Sequence, residues 1–285
     1  MPAFLNGEYL EPEAAQVSVL DRGFLFGDGV YELMPVYGGR PFRLGAHLKR
    51  LARSLKEVLI PNPYDAVHWT QIFAELIERT GGGDLLLYWQ VTRGVAPRDH
   101  AFPHGIQPTV FAMTNPLPAP MPEQLKSGVK AVTLQDMRWA RCDIKAISLL
   151  GNVLLRQQAI DAGADEAILL RDGYITEGAA SNVFAVFDNV VVTPPNGPAL
   201  LPGVTRDLVL ELVAAENLPY KEAAIHQREL SRAQEIWITS SAKEILPVTV
   251  LDNAQVGDGR PRAHWAKIYR SFQDYKVRLR TGEVS

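Results

Sequence analysis

Cysteine is almost missing from this chain: Cys142 stands alone among 285 residues. One thiol excludes an intrachain disulfide and any zinc site built from several thiolates. Long apolar runs are missing too, since none approaches the roughly 20 residues that a membrane span needs. The start, Met1-Pro2-Ala3-Phe4-Leu5-Asn6-Gly7-Glu8, has neither the basic opening nor the apolar core of a secretory signal. Concentrated positive charge is likewise absent: 29 Lys and Arg oppose 32 Asp and Glu, for a net charge of −3. Nucleic acid is therefore not an expected partner, because phosphate neutralisation needs a basic surface. What remains is ordinary for a soluble globular protein, with 47 % hydrophobic and 21 % charged residues. The length suits one large domain or two of common size. These traits fit a cytoplasmic protein without membrane contact, and by themselves do not make it an enzyme.

Several familiar site signatures are also lacking. There is no Walker A run, and Thr80-Gly81-Gly82-Gly83 precedes a strand instead of opening a helix, so it reads as a turn. Gly27-Asp28-Gly29 lacks the third glycine and the helix of a dinucleotide fingerprint. His100 and His104 have the i, i+4 spacing of a metal pair, but Pro103 between them breaks the helix that spacing requires. No metal site is expected. Ser148 has no nearby histidine base and reads as a helix cap.

The apolar pattern predicts a strand over residues 30–37, helices over 44–59 and 65–78, and a buried strand over 85–92. Leu48, Leu51, Leu55 and Val58 form the inner face of the first helix; Trp69, Ile72, Phe73 and Ile77 form that of the second. The run Pro116–Pro122 (PLPAPMP) is the best linker, since alternate prolines block both helix and central-strand pairing. A boundary there gives domains of residues 1–117 and 123–285, joined by a linker over 118–122. In the second part, a strand over 129–134 and a helix over 149–162 precede two hairpins, with Asp172-Gly173 and Asp188-Asn189 at their tips. A helix over 205–216, a strand over 235–239 and a terminal helix over 262–278 follow. Hairpins imply antiparallel sheet, so an α/β chain of α+β character is expected and a doubly wound parallel fold is disfavoured.

Four separated segments carry candidate chemistry. Lys145 follows Arg138-Trp139-Ala140-Arg141-Cys142-Asp143-Ile144 and precedes an apolar helix; burial of such a lysine would favour the neutral amine that Schiff-base formation needs. Alone, a surface lysine before a helix is the stronger reading. Glu177 leaves a hairpin strand into Gly178-Ala179-Ala180-Ser181-Asn182, where small residues let a flat ligand approach, and its carboxylate could pair with a pyridinium nitrogen. A solvated glutamate in a turn is about as good a reading. Leu200-Leu201-Pro202-Gly203-Val204-Thr205 opens a helix whose free N–H groups suit a phosphate. Thr239-Ser240-Ser241 adds hydroxyls, and Arg50 could add charge or be an exposed helix arginine. Arg98 and His100 project from a loop after a strand and would suit a substrate carboxylate, with Tyr31 as a phenolic donor; an ordinary surface loop is the alternative.

Taken together, these segments resemble the fold-type IV pyridoxal-phosphate enzymes, the class-IV aminotransferases, over nearly the whole chain. The most specific parts are Asp21-Arg22-Gly23-Phe24-Leu25-Phe26-Gly27-Asp28-Gly29-Val30-Tyr31-Glu32, the Lys145 segment, and Thr176-Glu177-Gly178 through Ser181-Asn182. Tyr31 and the Arg98-x-His100 pair look like the carboxylate trap of the D-amino-acid aminotransferases within that family. Ala180 and Ser241 depart from the family pattern, which more often has a hydroxyl at the first and threonine at the second. The resemblance implies a small N-terminal α/β domain, a larger pseudo-barrel domain, and pyridoxal 5'-phosphate between them. It implies that Lys145 is the internal-aldimine lysine and proton shuttle, and that Glu177 pairs with the pyridine nitrogen. Arg50, Val204, Thr205, Ser240 and Ser241 would hold the phosphate, and Leu201 would pack on the ring. Tyr31, Arg98 and His100 would bind the α-carboxylate. A ping-pong exchange between D-amino acids and 2-oxo acids, D-alanine and 2-oxoglutarate foremost, and a homodimer with a shared pocket are also implied. The alternatives are a transaminase for branched-chain L-amino acids or (R)-amines, an aminodeoxychorismate-type lyase, and a non-catalytic binding protein on the same scaffold.

Overall fold

The structure is a computed structural model that describes residues 1–284. The chain forms two compact units: Met1–Pro118 with Ile144–Leu149 and the segment from Arg278 onward, and Ala119–Asp143 with Leu150–Val277. The segment that carries Lys145 thus belongs to the first unit.

The first unit is built on six strands: β1 (Ala3–Leu5), β2 (Glu8–Leu10), β3 (Gly29–Tyr37), β4 (Arg40–Pro41), β5 (Leu85–Thr92) and β6 (Thr109–Pro116). Their order is β2-β1-β6-β5-β3-β4, and every pairing is antiparallel. Three helices accompany them: α1 (Arg22–Phe26), α2 (Leu44–Glu57) and α3 (Ala66–Arg79). Of the expected inner faces, Leu51 and Leu55 of α2 join Trp69, Ile72, Phe73 and Ile77 of α3 in one core with Leu87, Trp89 and Val91 of β5, while Leu48 and Val58 pack against it only partly buried. The Phe73 and Trp89 rings lie 4.6 Å apart and tilted, an arrangement that adds to area burial. Asp65 starts α3 by accepting a hydrogen bond from the His68 N–H.

The second unit contains α4 (Pro122–Ser127), β7 (Val129–Gln135), α5 (Leu150–Asp161), β8 (Glu166–Arg171), β9 (Tyr174–Gly178), β10 (Asn182–Phe187) and β11 (Val190–Thr193). After these come α6 (Val204–Ala215), β12 (Tyr220–Glu222), β13 (Glu235–Ser240), β14 (Glu244–Leu251), β15 (Ala254–Gln255) and the terminal helix α7 (Ala263–Thr281). The sheet order is β12-β11-β10-β13-β14-β7-β8-β9, with β15 beside β14. Both expected hairpins form, and Asp172, Gly173, Asp188 and Asn189 all have positive φ, as type I′ turns demand. The sheet is nonetheless mixed: β7 runs parallel to β8 and to β14, and β11 parallel to β12. The reason is connectivity, because helical crossovers α5 and α6 join β7 to β8 and β11 to β12.

That order makes the sheet curl. Strands β9 and β10 are five neighbour steps apart, about 24 Å if the sheet were flat. Yet only Ala179–Ser181 separates them in sequence, a reach of about 14 Å. A flat sheet is therefore impossible, and the Gly178 N–H closes the turn by donating to the Ser181 carbonyl at 2.6 Å.

The helix after Lys145 departs from a simple core helix. Only Leu155 and Ala159 of α5 are buried, while Leu150, Val153, Leu154 and Ile160 are exposed. Since α5 begins at Leu150, Ser148 sits one residue too early to cap it; it packs on Gly27 instead. Among the described residues, no helix is long and apolar enough to cross a membrane, and no His, Cys, Asp and Glu group could hold a metal.

Candidate active site

The first unit fixes Lys145 through its backbone. The Tyr31 N–H donates to the Lys145 carbonyl at 2.9 Å, and the Ile147 N–H donates to the Gly29 carbonyl at 3.1 Å. The Lys145 N–H in turn donates to Ser54 Oγ on α2 at 3.3 Å. Gly29 is required here: a Cβ would come within 2.7 Å of the Val91 carbonyl and 2.9 Å of Ile147 Cδ1. The half-buried Lys145 side chain lies with Nζ 4.2 Å from the Tyr31 ring centroid, a cation–π distance. Lys145 and Tyr31 are thus brought together.

Strand alternation turns the next residue, Glu32, toward α2. Its fully buried carboxylate accepts from Arg50 Nε and Nη2, each at 2.7 Å, and faces His47 Nδ1 at 2.8 Å. Burial opposes its charge, but the Arg50 guanidinium outweighs that and holds the carboxyl at about 2. Burial keeps His47 below its usual pKa. Arg50 is therefore a buried, oriented guanidinium and not an exposed helix arginine.

Arg98 and His100 are exposed, and both contact Phe26 of α1: Arg98 lies 5.2 Å from the ring centroid, and the His100 ring 5.5 Å. Their loop is held from below. Arg22 donates to the carbonyls of Asp99 at 2.5 Å and Ala101 at 3.3 Å, and its Nε to Asp28 at 2.8 Å. Arg93 grips Asp28 through Nε and Nη2 and also donates to the Val58 and Leu59 carbonyls. Burial raises the Asp28 carboxyl pKa, but the two guanidiniums win and lower it. The Asp21–Glu32 run is thus chiefly a support for this loop and for Lys145.

In the second unit, Glu177 is the penultimate residue of β9 and is 5 % exposed. One carboxylate oxygen accepts from Arg138 Nη1 at 2.5 Å; the other accepts from the Leu201 N–H at 3.0 Å and Asn182 Nδ2 at 3.3 Å. Asn182 Nδ2 also donates to the Leu201 carbonyl at 2.9 Å, tying β10 to the approach of α6. Gly203 caps α6 with no side-chain hydrogen bond, so the first-turn amides at Val204 and Thr205 are not covered by a cap residue. A Cβ on Gly203 would lie 2.0 Å from Asn182 Oδ1. On β13, Thr239 is paired with Asn182 in register, and its buried Oγ1 has no hydrogen-bond partner. Ser240 and Ser241 are half-buried, and Ser240 Oγ accepts from the Lys243 N–H at 3.1 Å. Glu177, Leu201, Val204 and Thr205 therefore form one continuous cradle. A buried carboxylate, an uncapped helix start, a glycine that admits no side chain and an unused hydroxyl fit a planar ring that bears a basic nitrogen and a phosphate.

Residue patterns alone missed Glu32, His47, Arg138 and Asn182. The available signal was charge in apolar context: Glu32 interrupts Val30-Tyr31 and Leu33-Met34, and a buried carboxylate needs a partner.

The model of the family described as amino-transferase class IV matches residues 29–251. The D-alanine aminotransferase of Bacillus licheniformis is 43 % identical over 261 residues, covering 92 % of each chain. That of Staphylococcus epidermidis is 37 % identical over 273 residues, covering 95 % of this chain and 96 % of that one. Among solved structures, the branched-chain amino acid aminotransferase of Escherichia coli superposes with a TM-score of 0.91 at 28 % identity, covering 96 % of this chain and 93 % of that one. The chain belongs to the class IV aminotransferases, enzymes that depend on pyridoxal 5'-phosphate.

Proposed function

We propose that this protein transfers the amino group of D-amino acids, D-alanine foremost, to a 2-oxo acid such as 2-oxoglutarate. The observation that carries the substrate class is the pair Arg98 and His100, exposed on a loop braced by Arg22. Such a pair recognises a carboxylate, which an (R)-amine lacks. The two relatives named D-alanine aminotransferase support the same reading.

When bound, pyridoxal 5'-phosphate supplies an aldehyde for the amine and a ring that accepts the electron pair released at Cα. The chain's own residues do the rest. Lys145 would hold the cofactor through its amine and, once the substrate amine has displaced it, would be the free base that carries the proton between Cα and C4'. Glu177 would accept a hydrogen bond from the pyridine nitrogen and so keep its proton in place. Amides of Val204 and Thr205, the hydroxyls of Thr205, Ser240 and Ser241, and the guanidinium of Arg50 would bind the phosphate. Leu201 packs on the ring. Tyr31, Arg98 and His100 receive the α-carboxylate and so fix which Cα–H faces Lys145.

In this reading a second copy of the chain completes the substrate pocket. The support is apolar exposure: Phe24 and Phe102 beside the trap in the first unit, and Leu150, Val153, Leu154 and Ile160 along α5 in the second. The enzyme would work in the cytoplasm.

A second reading, branched-chain L-amino acid transamination, is favoured by the E. coli structural likeness. Steady-state assays separate the two. D-alanine with 2-oxoglutarate should yield pyruvate and D-glutamate, and L-leucine with 2-oxoglutarate should yield nothing. The reverse pattern would overturn the proposal, and pyruvate from aminodeoxychorismate without an acceptor would indicate a lyase.

A further inference from the structure

We infer that Asp136 is a positioning residue whose buried carboxylate holds Arg138 in place and so determines how strongly Glu177 binds the ring nitrogen. The inference rests on the cofactor assignment above.

Asp136 follows β7, and its side chain is fully buried. It accepts from the Arg138 N–H at 3.1 Å, Nε at 2.9 Å and Nη2 at 2.9 Å, from Arg171 Nη2 at 2.9 Å, and from Thr176 Oγ1 at 3.1 Å. The donor Thr176 is the residue immediately before Glu177. Arg138, only 5 % exposed at its side chain, then turns its remaining terminal nitrogen, Nη1, onto Glu177 at 2.5 Å. Charges therefore alternate in sign from the half-buried Arg171 through the buried side chains of Asp136, Arg138 and Glu177.

That order has a chemical consequence. Without Asp136, Arg138 would direct its whole charge at Glu177, and a carboxylate already neutralised by a guanidinium attracts a pyridinium weakly. Asp136 cancels much of the Arg138 charge, so Glu177 keeps its negative field for the ring. The same grip sets the guanidinium plane, which leaves the second Glu177 oxygen to the Leu201 N–H and Asn182. Asp136 thus acts on the cofactor without touching it.

A cofactor analogue with carbon in place of the ring nitrogen, 1-deazapyridoxal 5'-phosphate, isolates this effect. The full-length chain, stripped of cofactor, is titrated with pyridoxal 5'-phosphate and with the analogue, and Kd is read from fluorescence quenching. The wild type should prefer the natural cofactor. Asp136→Asn should lower that preference about tenfold, the scale of one hydrogen bond to a charged group, with analogue affinity nearly unchanged. Asp136→Glu, which restores the charge, should recover most of the preference. Should Asp136→Asn fail to fold, Thr176→Val removes one donor from Asp136 and should lower the preference about threefold. Equal loss of affinity for both molecules would mark Asp136 as merely structural and overturn the inference. A wild type with no preference would overturn the role of Glu177, and one that binds neither would overturn the cofactor assignment itself.

Discussion

At the scale of the residue, the account depends on an amine and a carboxylate with opposite requirements. Lys145 Nζ lies against the Tyr31 ring, while Glu177 is buried and holds hydrogen bonds to both oxygens. Replacing Lys145 with Ala removes the only proton carrier assigned to Cα. It should cut turnover with D-alanine on the order of a thousandfold, within the range of general acid–base catalysis; a stopped assay for pyruvate measures it. Arg98 makes a different prediction. In its proposed role it would meet substrate at the carboxylate and not at the reacting carbon, so Arg98→Ala should raise KM for D-alanine more than it lowers kcat. The guanidinium is exposed and lies over the Phe26 ring, so folding should be little changed.

At the scale of the element, the Glu32–Arg50–His47 cluster ties β3 to α2 in the first unit. Breaking a buried ion pair by removing one partner costs about 3–5 kcal/mol, so Glu32→Gln should lower Tm sharply in a thermal melt. The pH sense follows from the two shifts. Glu32 is held at about 2 instead of 4.5, so its stabilisation is complete above about pH 4.5 and fades as pH falls toward 2. His47 is held neutral below its usual 6.5, so the unfolded chain takes that proton first and stability also falls below about pH 6.5. Melts from pH 7.5 down to 4 should show Tm dropping with acid, and a flat profile would contradict the cluster's role. The elements also show what was legible beforehand. Helices α2, α3 and α6 and both hairpins were readable because a 3.6-residue apolar stripe or an Asp-Gly tip is local information. Strands β1 and β2 were missed because three residues carry no periodicity. Strand β6 was missed because it lies between Pro108 and Pro116, beside the proline-rich run. The parallel pairings of β7 were hidden because register across a crossover is not written in either strand alone. In the candidate site, Lys145, Glu177 and the α6 start stand out in the sequence as motifs; the Arg138–Asp136 support does not, because it is assembled only when the end of β7, the end of β8 and β9 come together in the sheet.

At the scale of the whole molecule, the proposed second copy of the chain would cover the exposed apolar residues of α5. Sedimentation should give a dimer near 63 kDa, about twice the 31.5 kDa chain. Leu154→Glu, a charge on that face, should shift the population toward monomer and lower D-alanine turnover with it. A monomer with full activity would contradict the shared pocket. The central claim, a lysine-bound cofactor serving D-amino acids, meets its most direct test in a single half-reaction. The holoenzyme is mixed separately with D-alanine, L-leucine and an (R)-amine, and the absorption of the bound cofactor is followed without any acceptor. Loss of the lysine-bound band with D-alanine alone is the predicted result; loss with L-leucine alone would contradict the substrate assignment, and no such band at all would contradict Lys145 as its carrier.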